Sequence, residues 1–473
     1  MFLYIDPGTG SMLFTILIGL FTTLYFFARK FIVYLKFRLS GGKGEAADTG
    51  KIPFVIFSDN KQYWTVFKPI CDEFEKRKIP LVYWTASDQD PALNTEYQYV
   101  ERRFIGEGNK AFARLNTMNA CVCLATTPGL DVLQWKRSKA TDWYVHILHA
   151  AGTSAAGYRM FSLDFYDAVL LTGDFQIEEI RELERKRDLP TKELKVLGCT
   201  YMDELWKKVC AQKEGAANLH MKEDASVESD ALTTADSQSM ADTHTAAGSQ
   251  STADTHTAAG SQPADDTDMT LGSQPETAAR QMTVLLAPSW GESGILCKYG
   301  EKILEPLVQT GFQLIIRPHP QSFVSDKEVI EKLQAKYPNS DQIAWDSNPD
   351  NFDSLNRSDI LISDFSSVIF DYSLVFNKPV IYAENVFIKD PYDAAWLDEE
   401  MWKFRVLPSI GLPLREEDFP RMKEVILHAV ENQELSSGRE QARKEAWAHI
   451  GESAALITDY LIESQARIAF SAD

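Results

Sequence analysis

The sequence predicts an α/β protein of two doubly wound, mostly parallel sheets behind an N-terminal transmembrane helix, and three observations carry that prediction. The chain of 473 residues exceeds the size at which one hydrophobic core keeps growing, so two domains of about 150 to 200 residues are expected. From Pro53 onward short apolar, β-branched runs alternate with longer amphipathic ones, the pattern of strands covered on both faces by helices. The alternation stops near residue 212 and restarts at Met282.

The N-terminal element comes first. Pro7 to Ala28 are 22 consecutive uncharged residues. As a helix at about 1.5 Å per residue they reach roughly 33 Å, enough to cross a bilayer core of about 30 Å. Arg29, Lys30, Lys36, Arg38 and Lys43 follow and only Asp6 precedes, so the positive-inside tendency places everything after residue 29 in the cytoplasm. A cleaved signal peptide needs a basic start and a small-residue cleavage site, and neither is present. A buried core helix is the plainer alternative. Residues 1–44 are therefore expected to be a single-pass anchor in the cytoplasmic membrane with a basic juxtamembrane segment.

Residues 45–212 form the first expected domain. Phe54–Phe57, Leu81–Trp84, Cys121–Leu124, Tyr144–Leu148 and Ala168–Leu171 read as buried strands, with helical stretches near 61–78, 108–118 and 174–187. The second domain, 282–473, repeats the scheme with Thr283–Ala287, Gln313–Arg317, Gln342–Trp345, Asp359–Ser363 and Pro379–Tyr382. Residues 421–467 read as helical, and a closing helix there is expected to pack back on the first domain.

Between the two, 213–281 is low-complexity sequence in which Ser239–Gln250 recurs as Ser251–Gln262. With few large apolar side chains it cannot bury enough surface to offset its ordering entropy, so a disordered insertion is expected. It also holds much of the acidity, since 215–280 carries 11 acidic against 2 basic residues. The whole chain has a net charge of −20, which excludes a nucleic-acid partner of the usual basic kind. The six cysteines lack C-x2-C pairing and fit reduced, buried thiols.

Among eight histidines, His220, His244 and His256 fall in the insertion, His428 and His449 in charged helices, and His146 inside a strand. His149 and His319 remain. His149 ends a strand and precedes the small-residue loop Ala150–Ser154; parallel sheets place ligands at strand carboxyl ends, where a histidine can act as general base. A hydrogen-bonded turn residue is the alternative. His319 occupies the corresponding place in Arg317-Pro318-His319-Pro320, where two prolines stiffen the exit from the strand. In Ser363-Asp364-Phe365-Ser366-Ser367 a strand runs through a polar turn into an apolar stretch opening with hydroxyls, a suitable anion site. Simple N-capping by Ser366 or Asp364 accounts for the same residues.

Taken together, Ala287-Pro288-Ser289-Trp290, Arg317-Pro318-His319-Pro320, Ser363 through Asp371 and Asn377-Lys378-Pro379-Val380 resemble the CDP-glycerol glycerophosphotransferase family over roughly 282–385. The resemblance implies a GT-B architecture, two Rossmann-like domains with the donor in the cleft. It implies that His319, Ser366 and Ser367 contact the donor diphosphate, with Arg317 and Asp371 in the same motifs and Ser289, Trp290 and Asp364 lining the donor cleft. The family's W-H-G-T-P histidine corresponds to His149, although Leu148-His149-Ala150-Ala151-Gly152-Thr153 is only partly similar.

The function so implied is transfer of glycerol phosphate, or a similar polyol phosphate, from a CDP-activated donor to a hydroxyl of a lipid-linked acceptor, releasing CMP. No protein-bound cofactor or metal is expected beyond Mg2+ brought by the nucleotide. Two rivals stand beside it. A GT-B glycosyltransferase would need a sugar-specific pocket, and a catalytically silent scaffold would account for Ala150 and Ala151 in the first-domain motif.

Overall fold

The computed structural model describes residues 50–214, 281–348 and 350–471. The apolar stretch 7–28, the basic segment after it and the repeat with its three histidines lie outside the described residues. Among the described residues no helix is long and apolar enough to cross a membrane.

The first sheet holds seven strands: β1 (Ile52–Ser58), β2 (Leu81–Thr85), β3 (Val100–Phe104), β4 (Ala120–Ala125), β5 (Thr141–Ile147), β6 (Ala168–Leu171) and β7 (Glu193–Val196). Their order is β3-β2-β1-β4-β5-β6-β7, and every pairing is parallel. Central β1 is apolar nearly throughout because both of its faces are covered; Val55 pairs with Val82 on one side and Cys123 on the other. One face packs Phe54 and Ile56 against Phe67, Ile70 and Phe74 of the helix Trp64–Arg77, and the other packs Val55 and Phe57 against Leu115 and Ile180.

The second sheet repeats the winding with β8 (Thr283–Leu286), β9 (Gln313–Ile316), β10 (Ile343–Trp345), β11 (Ile360–Ser363), β12 (Val380–Ala383) and β13 (Gly411–Leu414). Its order is β10-β9-β8-β11-β12-β13, again all parallel. In both sheets the order reverses beside the first strand, between β1 and β4 and between β8 and β11. Ligands of open α/β sheets bind at that crevice, outside the strands' carboxyl ends.

The chain then crosses back. The helix Ser453–Ser471 lies on the first domain, where Ile457, Tyr460 and Leu461 join the core beside β1. Arg77 pairs with Asp459, and Arg467 with Glu193 at 2.8 Å. Buried Asp203 holds the crossing: it accepts from Trp447 Nε1 and Gly451 N, both at 2.9 Å, and from Ser453 N at 3.1 Å. The segment between β12 and β13 also reaches over, with Asp393 meeting buried Arg187 at 2.6 Å and Arg159 bridging Tyr392.

Candidate active site

A cleft of about 690 Å³ opens between the two sheets, and it is lined from both domains. The first domain contributes His149, Thr153, Tyr158 and Arg159; the second contributes Ser289, Trp290, His319, Ser366, Ser367 and Lys403. At the back the walls touch, since a Cβ on Gly152 would stand 3.7 Å from the ring of Phe370.

His149 follows β5 by two residues, and its Nδ1 lies 2.6 Å from Oγ1 of Thr126, the first residue after β4. Thr126 in turn hydrogen-bonds the Tyr158 hydroxyl, which lies 3.1 Å from Nε2 of His146. Burial pushes His149 down to about 4 and His146 to about 3, so both rings are neutral at physiological pH. A neutral His149 can take a proton at Nε2. That requires Nδ1–H to donate to Thr126, Thr126 to Tyr158, and Tyr158 to His146.

Across the cleft, His319 accepts at Nδ1 from the backbone N–H of Gln321 at 3.1 Å. Its proton therefore resides on Nε2, and burial lowers its pKa, leaving a neutral ring that donates toward an anion. Beyond β11, Asp364 is buried and accepts from the backbone N–H groups of Ser289 (2.9 Å), Ile295 (3.1 Å) and Ser366 (3.2 Å). Burial raises its pKa and the three donors oppose the rise. Asp364 thus lies beneath the cleft and ties the Ser289 loop to the Ser366 turn.

The sequence reading joined two further residues to the diphosphate contacts, and the fold positions them elsewhere. Arg317 pairs with Asp346 and donates to the carbonyl of Asn348 at 2.6 Å, because it leaves β9 on the side of β10's exit loop. Asp371 starts a π-helical turn (Asp371–Val375) directly after the single α-turn Val368–Phe370. There it is buried at 6 % exposure and meets Tyr201 of the first domain, with Oδ1 unpaired. Neither residue lines the cleft.

Lys403, Arg159, Tyr158 and Thr126 do belong to the site or directly behind it, and sequence reasoning missed all four. Tyr158 and Arg159 lie within ten residues of His149, a proximity that could have marked them. Lys403 follows Asp398-Glu399-Glu400 and reads as part of a solvated charged stretch. Among the described residues no group of three or more His, Cys, Asp or Glu is placed to hold a metal ion.

Two doubly wound domains facing one another across a cleft with histidines and hydroxyls on opposite walls have the GT-B architecture. Residues 253–392 match the family model of CDP-glycerol:poly(glycerophosphate) glycerophosphotransferases. Two solved structures of the wall teichoic acid polymerase TagF with CDPG are similar in fold. One, from a 15-minute soak, aligns at TM-score 0.53 and 12% identity over 95% of this chain and 98% of that one. The other, from a 30-minute soak, aligns at TM-score 0.50 and 13% identity over 88% and 89%. No curated protein sequence matches the chain significantly.

Proposed function

We propose that the chain transfers glycerol phosphate, or a similar polyol phosphate, from its CDP-activated form to a hydroxyl of a lipid-linked acceptor at the cytoplasmic face of the membrane. The observation that carries this reading is the placement of His149 on one wall of the cleft with His319, Ser366 and Ser367 on the other. The acceptor oxygen attacks the β-phosphorus, the bond from that phosphorus to the bridging oxygen breaks, and CMP leaves. The acceptor's proton passes to Nε2 of His149. His319 Nε2–H and the two serine hydroxyls donate to the diphosphate oxygens as charge gathers on the departing phosphate. An anchor at residues 7–28 would hold the cleft beside its acceptor and raise the effective concentration of both.

Full-length protein in detergent, given CDP-glycerol, CDP-ribitol or a UDP-sugar with membrane lipid extract, tests the reading by the nucleotide released. CMP is expected from a CDP-polyol. Release of UDP alone would replace this reading by a glycosyltransferase, and full rate in both His149→Ala and His319→Ala would remove the site assignment.

A further inference from the structure

Lys403 is a buried amine with no salt-bridge partner among the described residues. Its side chain is 8 % exposed, and its Nζ donates to the carbonyl of Phe365 at 2.7 Å. Three aromatic rings surround it, Phe365, Phe387 and Phe404, with centroids 6.0, 5.4 and 5.3 Å from Nζ. It makes no ion pair with a carboxylate among the described residues. Asp364 and Glu179 act on it only at longer range: Asp364 accepts from three backbone N–H groups, and Glu179 accepts from Thr153 at 2.9 Å through Oε1 while its Oε2 has no hydrogen-bond partner.

Removing an ammonium from water without a counter-ion is costly, and one carbonyl with three ring faces offsets only part of that. An ammonium carries three donors, so two remain beyond the one used on Phe365. Lys403 lines the cleft, and the carbonyl it holds belongs to the residue directly before Ser366 and Ser367. Glu292, on the Ser289 loop, is the single carboxylate among the residues lining the cleft. The chemistry that completes this amine is a phosphate or diphosphate.

We infer that Lys403 is a direct ligand of the donor's diphosphate, donating from Nζ to the phosphoryl oxygens that take up charge as the nucleotide departs. The identity of the donor rests on the function proposed above; the anion site itself does not. Burial holds the amine down at about 8, and a bound anion would drive it fully to the charged form. Its place differs from that of a lysine merely pinning a loop. A pinning lysine would need the Phe365 carbonyl and nothing else, and would be indifferent to ligand.

Calorimetric titration of the full chain in detergent with inorganic pyrophosphate, CDP-glycerol and cytidine separates the two. Lys403→Met is expected to bind pyrophosphate and CDP-glycerol at least about tenfold more weakly than wild type, the loss of a charge-assisted hydrogen bond, with cytidine unaffected. Lys403→Arg should retain most of the affinity. Equal pyrophosphate binding by wild type and Lys403→Met overturns the inference, as does a wild-type protein that binds no pyrophosphate.

Should Lys403→Met fail to fold, acetylation of wild-type protein with acetic anhydride decides, read by peptide mass spectrometry. Saturating pyrophosphate must slow labelling of Lys403 and not of exposed Lys327; unchanged labelling of Lys403 overturns the inference. If pyrophosphate binds through Lys403 while only a UDP-sugar is turned over, the polyol-phosphate reading falls and the anion site stands.

Discussion

The Thr126 hydroxyl stands 2.6 Å from Nδ1 of His149, joining the ends of two neighbouring strands at the bottom of the cleft. Among the described residues no carboxylate hydrogen-bonds the imidazole there. A threonine does so instead, and Tyr158 and His146 stand behind it. The arrangement fixes the ring through hydroxyl groups alone.

Breaking this link should therefore change catalysis and leave donor binding alone. Thr126→Val keeps the shape and removes the hydrogen bond. We expect kcat to fall about tenfold, in the range seen when an outer partner of a working histidine is lost, with KM for CDP-glycerol unchanged. Thr126→Ser should restore the rate. A matched rise in KM would instead mean that Thr126 shapes the binding site.

The pH dependence follows from two buried groups. His149 must be neutral to accept a proton and titrates at about 4, so kcat/KM is expected to hold down through pH 5 and fall as pH drops toward 4. Lys403 must be charged to bind the diphosphate and titrates at about 8 in the free enzyme, so kcat/KM falls as pH rises past 8. Lys403→Arg, charged at every accessible pH, should abolish the alkaline limb and leave the acid limb in place. Initial rates at subsaturating donor across about pH 3.5 to 9.5 measure both.

The interior of the fold was readable because buried parallel strands must be apolar on both faces, and ten of them announce themselves that way. β3, β7 and β13 did not, and all three are edge strands. Val100-Glu101-Arg102-Arg103-Phe104 and Glu193-Leu194-Lys195-Val196 carry charges, and Gly411-Leu412-Pro413-Leu414 a proline, the features that keep an open edge from pairing further. The cleft was legible where its lining sits at a strand's carboxyl end, as for His149, His319 and Ser366. Arg317 and Asp371 share the same motifs, yet an ion pair turns one away and a π-helical turn buries the other. Lys403 gains its meaning only from tertiary burial, which its charged neighbours in sequence conceal.

Domain crossing sets a steric condition at Gly173. A Cβ there would lie 2.1 Å from the carbonyl oxygen of Glu445 and 2.8 Å from Cα of Ala446, backbone atoms that cannot swing aside. Gly173→Ala must push the helix Glu434–Ala446 away from the first domain, at about 2 kcal/mol or more by the usual scale of overpacking. Thermal melting should show a drop of several degrees. Gly291→Ala, with no atom within 4 Å of the added Cβ but a φ of +85°, separates this steric effect from backbone strain.

Asp371 offers the sharpest test of interdomain energetics. Burial between Tyr201 and the π-helical turn raises its pKa to about 7, against an ordinary 3.8, and leaves Oδ1 unpaired. The folded state therefore binds the proton more tightly than the unfolded chain. This group's contribution is most favourable below pH 3.8 and is lost as pH rises through 7. At pH 8 the buried carboxylate must be charged, at a cost of about 4 kcal/mol relative to acid conditions. Asp371→Asn removes that ionisation while retaining the shape and an acceptor for Tyr201. The variant is expected to melt higher than wild type at pH 8 and to approach it at pH 5. An equal difference at both pH values would show that Asp371 is stabilised by partners other than its proton.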